Sequence, residues 1–329
     1  MSTVGRLRLR RPRPTSPKTR LPDVAGALHV VDARSRGIEF FAPPSRIVSL
    51  VPSDTFSVAA LGRADRLVGR TEYCDRPEAL RVSVATVGGT KNPRVDDVLA
   101  LAPDLVLANL EENTRADVEA LERAGLRVYV SFPKSVAEGL AHLARLARIL
   151  GAAHEDGARA LVKRGYDELR AAEAARGARP SLRTFCPIWD SPLMTIHGAT
   201  FVSDMLEIGG MNNVFADRER RYPLAADMGR AAPMPPASLD VRDIRYPRVT
   251  VDEVVARAPE AIVLPDEPYA FGEADAARFR SLPVPAGATG AVVCAAGRDL
   301  TWYGAWSAEA IARVRALGDG LRTRARRLD

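Results

Sequence analysis

Two acidic pairs stand at equivalent places in a long internal repeat. Residues 96–111 (DDVLALAPDLVLANLE) align without a gap on residues 252–267 (DEVVARAPEAIVLPDE). Asp96/Asp252, Val98/Val254, Ala100/Ala256, Ala102/Ala258, Pro103/Pro259 and Glu111/Glu267 are identical. Glu111 and Glu267 close the two copies, each beside a second acid, Glu112 and Asp266. Both follow an apolar run that reads as a strand, so a pseudo-two-fold would aim them at one cleft. Four carboxylates at one mouth favour a cationic or metal-bearing ligand, and a pair of them could also act as acid and base. Alternatively, Glu111 and Glu112 simply start the next helix, where acids complement the dipole. The two readings are compatible.

Other reactive residues are sparse. The four histidines are His29, His142, His154 and His197. Only His197 falls in a loop of the expected cleft, as a ligand contact or as a hydrogen-bonded loop residue; the other three fall in a hairpin or in connecting helices, away from it. The three cysteines, Cys74, Cys186 and Cys294, stand far apart with no CxxC pair, which excludes a disulfide framework and a cysteine zinc site. Cys74 reads as a metal ligand or as a small buried packing residue. GxSxG, HExxH, the P-loop and GxGxxG are all absent, so no catalytic residue and no catalytic cofactor are expected.

A chain of 329 residues with 47% apolar and 27% charged content can build two ordinary soluble cores. The net charge of +6 is mostly arginine gathered at the two ends, with no interleaved aromatics. It therefore reads as a solvated tail, not as a nucleic-acid surface. Residues 1–22 are expected to be disordered. They are basic but carry no apolar stretch behind the charge and no lipidation cysteine, and no run reaches membrane-spanning length. On these grounds the chain is expected in the cytoplasm.

The elements that must position these residues alternate between strand and helix. A hairpin is expected over 26–41. The strand at 46–51 (RIVSLV) then leads into the loop 52–55, where Pro52, Ser53, Asp54 and Thr55 precede a helix. Strands follow at 66–69, 104–108 and 127–132, with helices at 96–101 and 111–124. Residues 135–176 are helical with a break at Gly151, and the second helix, 155–176, would be ~33 Å long. A strand at 182–187, a loop at 189–194 and a helix at 202–208 open the second half. The Arg/Pro-rich stretch 217–247, with its echo RRYP and IRYP, reads as an inserted surface loop. Helices near 273–279 and at the C-terminus flank a last strand at 291–295. This order predicts an α/β protein of two lobes with mainly parallel sheets. The lobes would span 23–152 and 178–329, joined by one long helix at 153–177. So stiff a joint is not expected to permit large closure motions.

In order along residues 46–313, RIVSLVPSDT, Tyr73-Cys74-Asp75-Arg76-Pro77, LALAPDLVLAN, the long helix and RYPRVTVDEVVARAPEAIVL resemble the class III, helical-backbone substrate-binding proteins. Among them the resemblance is to binders of cobalamin and iron-siderophores. It implies a non-catalytic protein with a metal chelate in the cleft between lobes, held by loops at the carboxyl ends of the strands. The loops so implied carry Ser53, Asp54, Thr55, Tyr73, Asn109, Glu111, Trp189, His197, Tyr246, Glu267, Trp302 and Tyr303. Tyr73 and Tyr246 fall where cobalamin binders place cleft aromatics, whereas Val87 and Asn109 occupy two further aromatic positions. Bare-metal receptors of the class use about three histidines and a carboxylate, a set this chain lacks, so no metal ligand is expected. The resemblance also gives Asp96 and Asp252 a role in docking onto a membrane permease; otherwise they are first-turn helix acids. A monomer serving an ABC importer, or a cytosolic derivative of one, is implied. An enzyme acting on a chelate in the same cleft and a ligand-free interaction protein remain as alternatives.

Overall fold

The computed structural model describes residues 26–176, 180–239 and 242–326; the expected tail, residues 1–22, lies outside them. The hairpin forms from β1 (Leu28–Val31) and β2 (Gly37–Phe40). Then come β3 (Ile47–Ser49), α1 (Pro52–Ala60), β4 (Leu67–Arg70), α2 (Leu80–Ser83) and β5 (Ala85–Thr86). The first repeat copy supplies α3 (Val95–Ala100) and β6 (Leu105–Asn109), followed by α4 (Arg115–Arg123) and β7 (Val128–Ser131). These strands form a wholly parallel sheet in the order β5-β4-β3-β6-β7.

Two helices, α5 (Val136–Ile149) and α6 (Asp156–Arg176), carry the chain to the second lobe. There β8 (Leu182–Phe185), β9 (Pro187–Trp189), β10 (Met194–Thr195), α7 (Phe201–Ile208), β11 (Met211–Asn213) and α8 (Leu224–Asp227) precede the second repeat copy. That copy is α9 (Val251–Arg257) and β12 (Ala261–Pro265). The lobe is completed by α10 (Glu273–Arg280), α11 (Pro285–Thr289), β13 (Val292–Ala295) and α12 (Gly297–Thr301), and α13 (Ser307–Ala325) returns to the helical layer. Its parallel sheet runs β11-β8-β12-β13, with β9 and β10 as a separate antiparallel pair. The protein is thus an α/β structure of two parallel-sheet lobes with a long helix between them.

The repeat is structural down to single residues. In each copy a helix, a residue in the left-handed conformation (Ala102 at φ 45°, Ala258 at φ 44°), a proline and a buried strand follow in the same register. A non-glycine residue pays for that conformation, so its presence at both matched alanines is hard to obtain by coincidence. Strand parity matches too. Leu105, Leu107, Ala261 and Val263 face one continuous core. Val106 and Ala108 face an outer cluster of the first lobe, and Ile262 and Leu264 face one of the second.

That continuous core explains why the lobes are not independent. It runs from Ile47 and Leu105 through Leu140 and Leu143 of α5 and Leu161 and Leu169 of α6 to Ile311 and Val314 of α13. Close approach here depends on glycine. A Cβ on Gly165 would lie 2.5 Å from Leu140, and one on Gly318 would lie 2.1 Å from the carbonyl oxygen of Gly209. Among the described residues no helix is long and apolar enough to cross a membrane.

Three expectations change. Residues 52–55 are the first turn of α1, entered with Pro52 at a first-turn position, where its missing N–H costs nothing. The acids Glu111 and Glu112 do not start a helix, because Thr114 caps α4 by accepting from Asp117 N. Residues 217–247 are not merely a surface loop: the buried Arg218 guanidinium holds Asp227 within the stretch at 3.0 Å and ties the stretch to the Arg248 carbonyl at 3.1 Å.

On α13, Gly318→Ala should cost roughly 1–3 kcal/mol, as overpacking does. Gly320→Ala, whose added Cβ meets nothing, should be neutral or stabilise by up to about 1 kcal/mol. Urea unfolding of the two variants checks both signs.

Candidate functional site: an inter-lobe cleft above a buried polar pin

Where β3, β6 and β7 end, the first lobe forms a polar socket, and a single side chain from the second lobe fills it. Tyr303, buried, follows α12 and reaches across. Its hydroxyl accepts from Asn109 Nδ2 at 3.1 Å, lies 2.9 Å from Ser131 Oγ and donates to Asp54 Oδ2 at 3.5 Å. Asp54, on α1, is completely buried, and His142 Nε2 donates to its other oxygen at 2.6 Å. His142 Nδ1 faces the Tyr129 hydroxyl at 3.5 Å, to which Arg145 donates at 3.1 Å. Burial, and then the Asp54 charge, push the Tyr303 phenol above its ordinary range; it stays protonated and can donate. Every buried polar group of the pin is thereby paired, as burial demands.

Asn109 carries this order upward. Its Oδ1 accepts from Glu111 N at 2.7 Å and from Glu112 N at 3.4 Å, fixing the turn that holds both acids. From there the first lobe crosses to the second. The Tyr246 hydroxyl donates to Glu111 Oε1 at 2.5 Å, and Arg245 Nη1 lies 2.6 Å from the same oxygen. Burial first, and then the Glu111 charge, raise the Tyr246 pKa, so the phenol stays protonated and can donate. Tyr246 and Arg245 come from the inserted stretch, held by His197 N donating to Arg245 O at 2.8 Å.

At the matched position Glu267 accepts from Thr301 Oγ1 at 3.1 Å and lies 3.7 Å from Arg298 Nε. Arg298 also crosses the cleft, donating to Asp75 Oδ2 at 2.7 Å, with its guanidinium over the Trp302 ring. Burial raises the Glu267 and Glu112 carboxyls above their usual range. The two repeat-end acids therefore each meet a cleft arginine. Exposed aromatic surface completes the mouth: Tyr73 is 60% exposed, and Trp189, 42% exposed, stands edge-on to Tyr269.

The residues singled out from sequence separate into two layers. Tyr73 and Trp189 are exposed, and Glu111, Tyr246 and Glu267 are part-buried in contacts at or between the lobes. Ser53, Asp54, Thr55, Asn109 and Tyr303 lie beneath these, buried and largely engaged with protein, and Trp302 packs against Phe56 and Trp306. His197 Nδ1 accepts from Ala199 N at 3.0 Å, the loop-residue reading. Val87 is buried. Cys74 is a buried packing residue flanked by Thr55 and Thr71, and burial raises its thiol pKa. Asp96 and Asp252 are exposed in the first turns of α3 and α9, one on each lobe. Among the described residues no cluster of three or more histidine, cysteine or acidic groups could hold a metal ion.

Sequence reasoning missed His142, Arg245 and Arg298. His142 was assigned to a helix away from the cleft, yet it belongs to the pin; its place on the buried face of α5 with Leu143 and Leu146 was the available signal. Arg298 follows β13 at its carboxyl end, where the topological rule already pointed.

Removing the Tyr303 hydroxyl leaves the Asn109 amide and Ser131 without their shared partner. Tyr303→Phe should therefore cost about 1–3 kcal/mol in chemical denaturation, and it should speed amide exchange in α1 and in the 109–113 turn.

Comparison with known proteins bears on the family and the fold. The periplasmic binding protein family matches residues 47–267. The vitamin B12-binding protein of Vibrio vulnificus is 26% identical over 224 residues, covering 67% of this chain and 71% of that protein. Among solved structures, the periplasmic vitamin B12 binding protein BtuF of Vibrio cholerae superposes with a TM-score of 0.64 at 20% identity, over 85% of this chain and 98% of the other. The periplasmic heme-binding protein RhuT from Roseiflexus sp. RS-1 gives 0.66 at 17% identity, over 86% and 99%. These matches overturn the expectation of a cytoplasmic protein, since the family and both solved neighbours are periplasmic. That expectation rested on the first 22 residues, a segment outside those described. The chain belongs to the periplasmic binding protein family, in its helical-backbone class, and is a ligand-binding protein rather than an enzyme.

Proposed function

We propose that this protein captures a metal chelate, in first place a corrinoid, in the cleft between its lobes and delivers it to a membrane importer. The observation that carries this reading is the mouth itself. Exposed Tyr73 and Trp189 offer flat aromatic faces on opposite lobes, while Glu111 with Tyr246 and Glu267 with Arg298 supply polar groups at matched positions. A large planar ring with a polar rim suits such a lining, because aromatic faces bind rings and a few placed polar groups fix orientation. The relatives named for vitamin B12 and the neighbour named for heme bind rings of that kind. Ferric siderophores are the remaining ligand class of the reading.

The two lobes are pinned by a buried network and share one core, so the cleft acts as a preformed site. Preorganisation lowers the ordering cost of binding. We further assign Asp96 and Asp252 to permease docking: both are exposed, neither is in an ion pair among the described residues, and the repeat puts them on equivalent helices of the two lobes. An acid on each lobe would let a two-fold partner read both at once.

Titration of the purified protein with cyanocobalamin, cobinamide and haemin, followed by tryptophan quenching and ligand absorbance, tests the reading. One-to-one saturation is expected, weakened about 5- to 30-fold by Tyr73→Ala or Trp189→Ala, as loss of 1–2 kcal/mol implies. No saturation by any of the three at high micromolar concentration would refute it. Asp96→Lys with Asp252→Lys should leave this binding unchanged while abolishing transport in a reconstituted importer.

A further inference from the structure

The mouth is crossed twice by charge, and the two ends of each crossing are unequal. If the Glu111–Arg245 contact opens, Arg245 retains Asp243 of its own lobe, with contacts at 2.9 and 2.7 Å. If the Asp75–Arg298 contact opens, Arg298 retains Glu267 at 3.7 Å and the Trp302 ring at 4.9 Å. The first-lobe acids retain much less. Among the described residues neither Glu111 nor Asp75 has another ion-pair partner: the further side-chain contact of Glu111 is the Tyr246 hydroxyl, which belongs to the same second-lobe stretch as Arg245, Lys91 reaches only the Glu111 carbonyl oxygen, and Asp75 Oδ1 is buried with no hydrogen-bond partner. A ligand that enters between the lobes therefore strands two part-buried carboxylates, which is costly unless the ligand supplies donors.

Resting on the reading of a chelate in this cleft, we propose that the site selects a chelate whose rim carries amide groups, which donate to Asp75 and Glu111, and discriminates against one whose rim carries carboxylates. An amide is suited to both sides of the mouth. Its N–H groups can serve the stranded carboxylates, and its oxygen can accept from Arg245 or Arg298. A carboxylate rim could satisfy only the arginines, and would face Asp75 and Glu111 as like charges. The arginines, already held by Asp243 and Glu267, gain little in exchange.

The test compares cyanocobalamin, the same corrinoid with its rim amides hydrolysed to carboxylates, and haemin, each by fluorescence titration against the intact protein. Cyanocobalamin should bind at least about tenfold tighter than its hydrolysed form, a difference near 1.4 kcal/mol. The isosteric double variant Asp75→Asn with Glu111→Gln should reduce that preference to less than about threefold while still binding a chelate. The proposal is overturned if the wild-type protein binds the hydrolysed form or haemin as tightly as cyanocobalamin, or if the double variant keeps the full preference. Binding of haemin alone would overturn this inference and leave the chelate reading standing; binding of none of the three would overturn both. The wild-type comparison decides even if the double variant does not fold.

Discussion

One buried hydroxyl sets the geometry on which the cleft depends. Tyr303 leaves the second lobe and ends in a socket built from Asp54, Asn109 and Ser131 of the first, with His142 behind Asp54. A polar group so deeply buried is tolerated only in the arrangement that pairs it, so the angle between the lobes is fixed by chemistry as well as by packing. The continuous core through α5, α6 and α13 supplies the packing part. Because Asn109 also holds the turn of Glu111, the pin and the mouth are one connected structure.

The fold was largely legible because its signals are local and repeated. Strand–helix alternation, glycine stops and the matched copies at 96–111 and 252–267 specify two parallel-sheet lobes, and the left-handed alanines 102 and 258 were already visible as identical Ala-Pro pairs. The repeat also identified Glu111 and Glu267, whose matched arginine contacts in the structure no single-site reasoning would suggest. What stayed hidden is non-local. Nothing near Tyr303 in sequence points to Asp54 or His142, since the contact joins segments 249 and 161 residues away only through the folded core. The loop expected at 52–55 is instead the first helical turn, because proline is well suited to the first position of a helix. Arg245 and Arg298 were passed over because arginine is so common in this chain that its presence carries little information.

In the proposed reading the mouth and the pin divide the labour of binding. Below, buried and fully paired groups provide rigidity; above, exposed aromatics and part-buried charges remain available to a ligand. A stiff double-lobed site differs from hinged receptors, in which closure itself supplies selectivity. Under the proposed reading, selectivity comes from the groups already in place. That is why the imbalance between the well-supported arginines and the poorly supported acids Asp75 and Glu111 matters: in a preformed cleft, a group stranded by the ligand cannot be rescued by a large rearrangement.

Hydrogen–deuterium exchange with and without saturating cyanocobalamin tests the central claim, that a rigid inter-lobe cleft is the binding site, most directly. The account predicts added protection confined to segments 73–75, 109–113, 189–190, 245–246 and 266–271, with α5, α6 and α13 unchanged. Protection in the groove between the hairpin turn at Arg34–Arg36 and α4, or spread through the connecting helices as the lobes reorient, would contradict it.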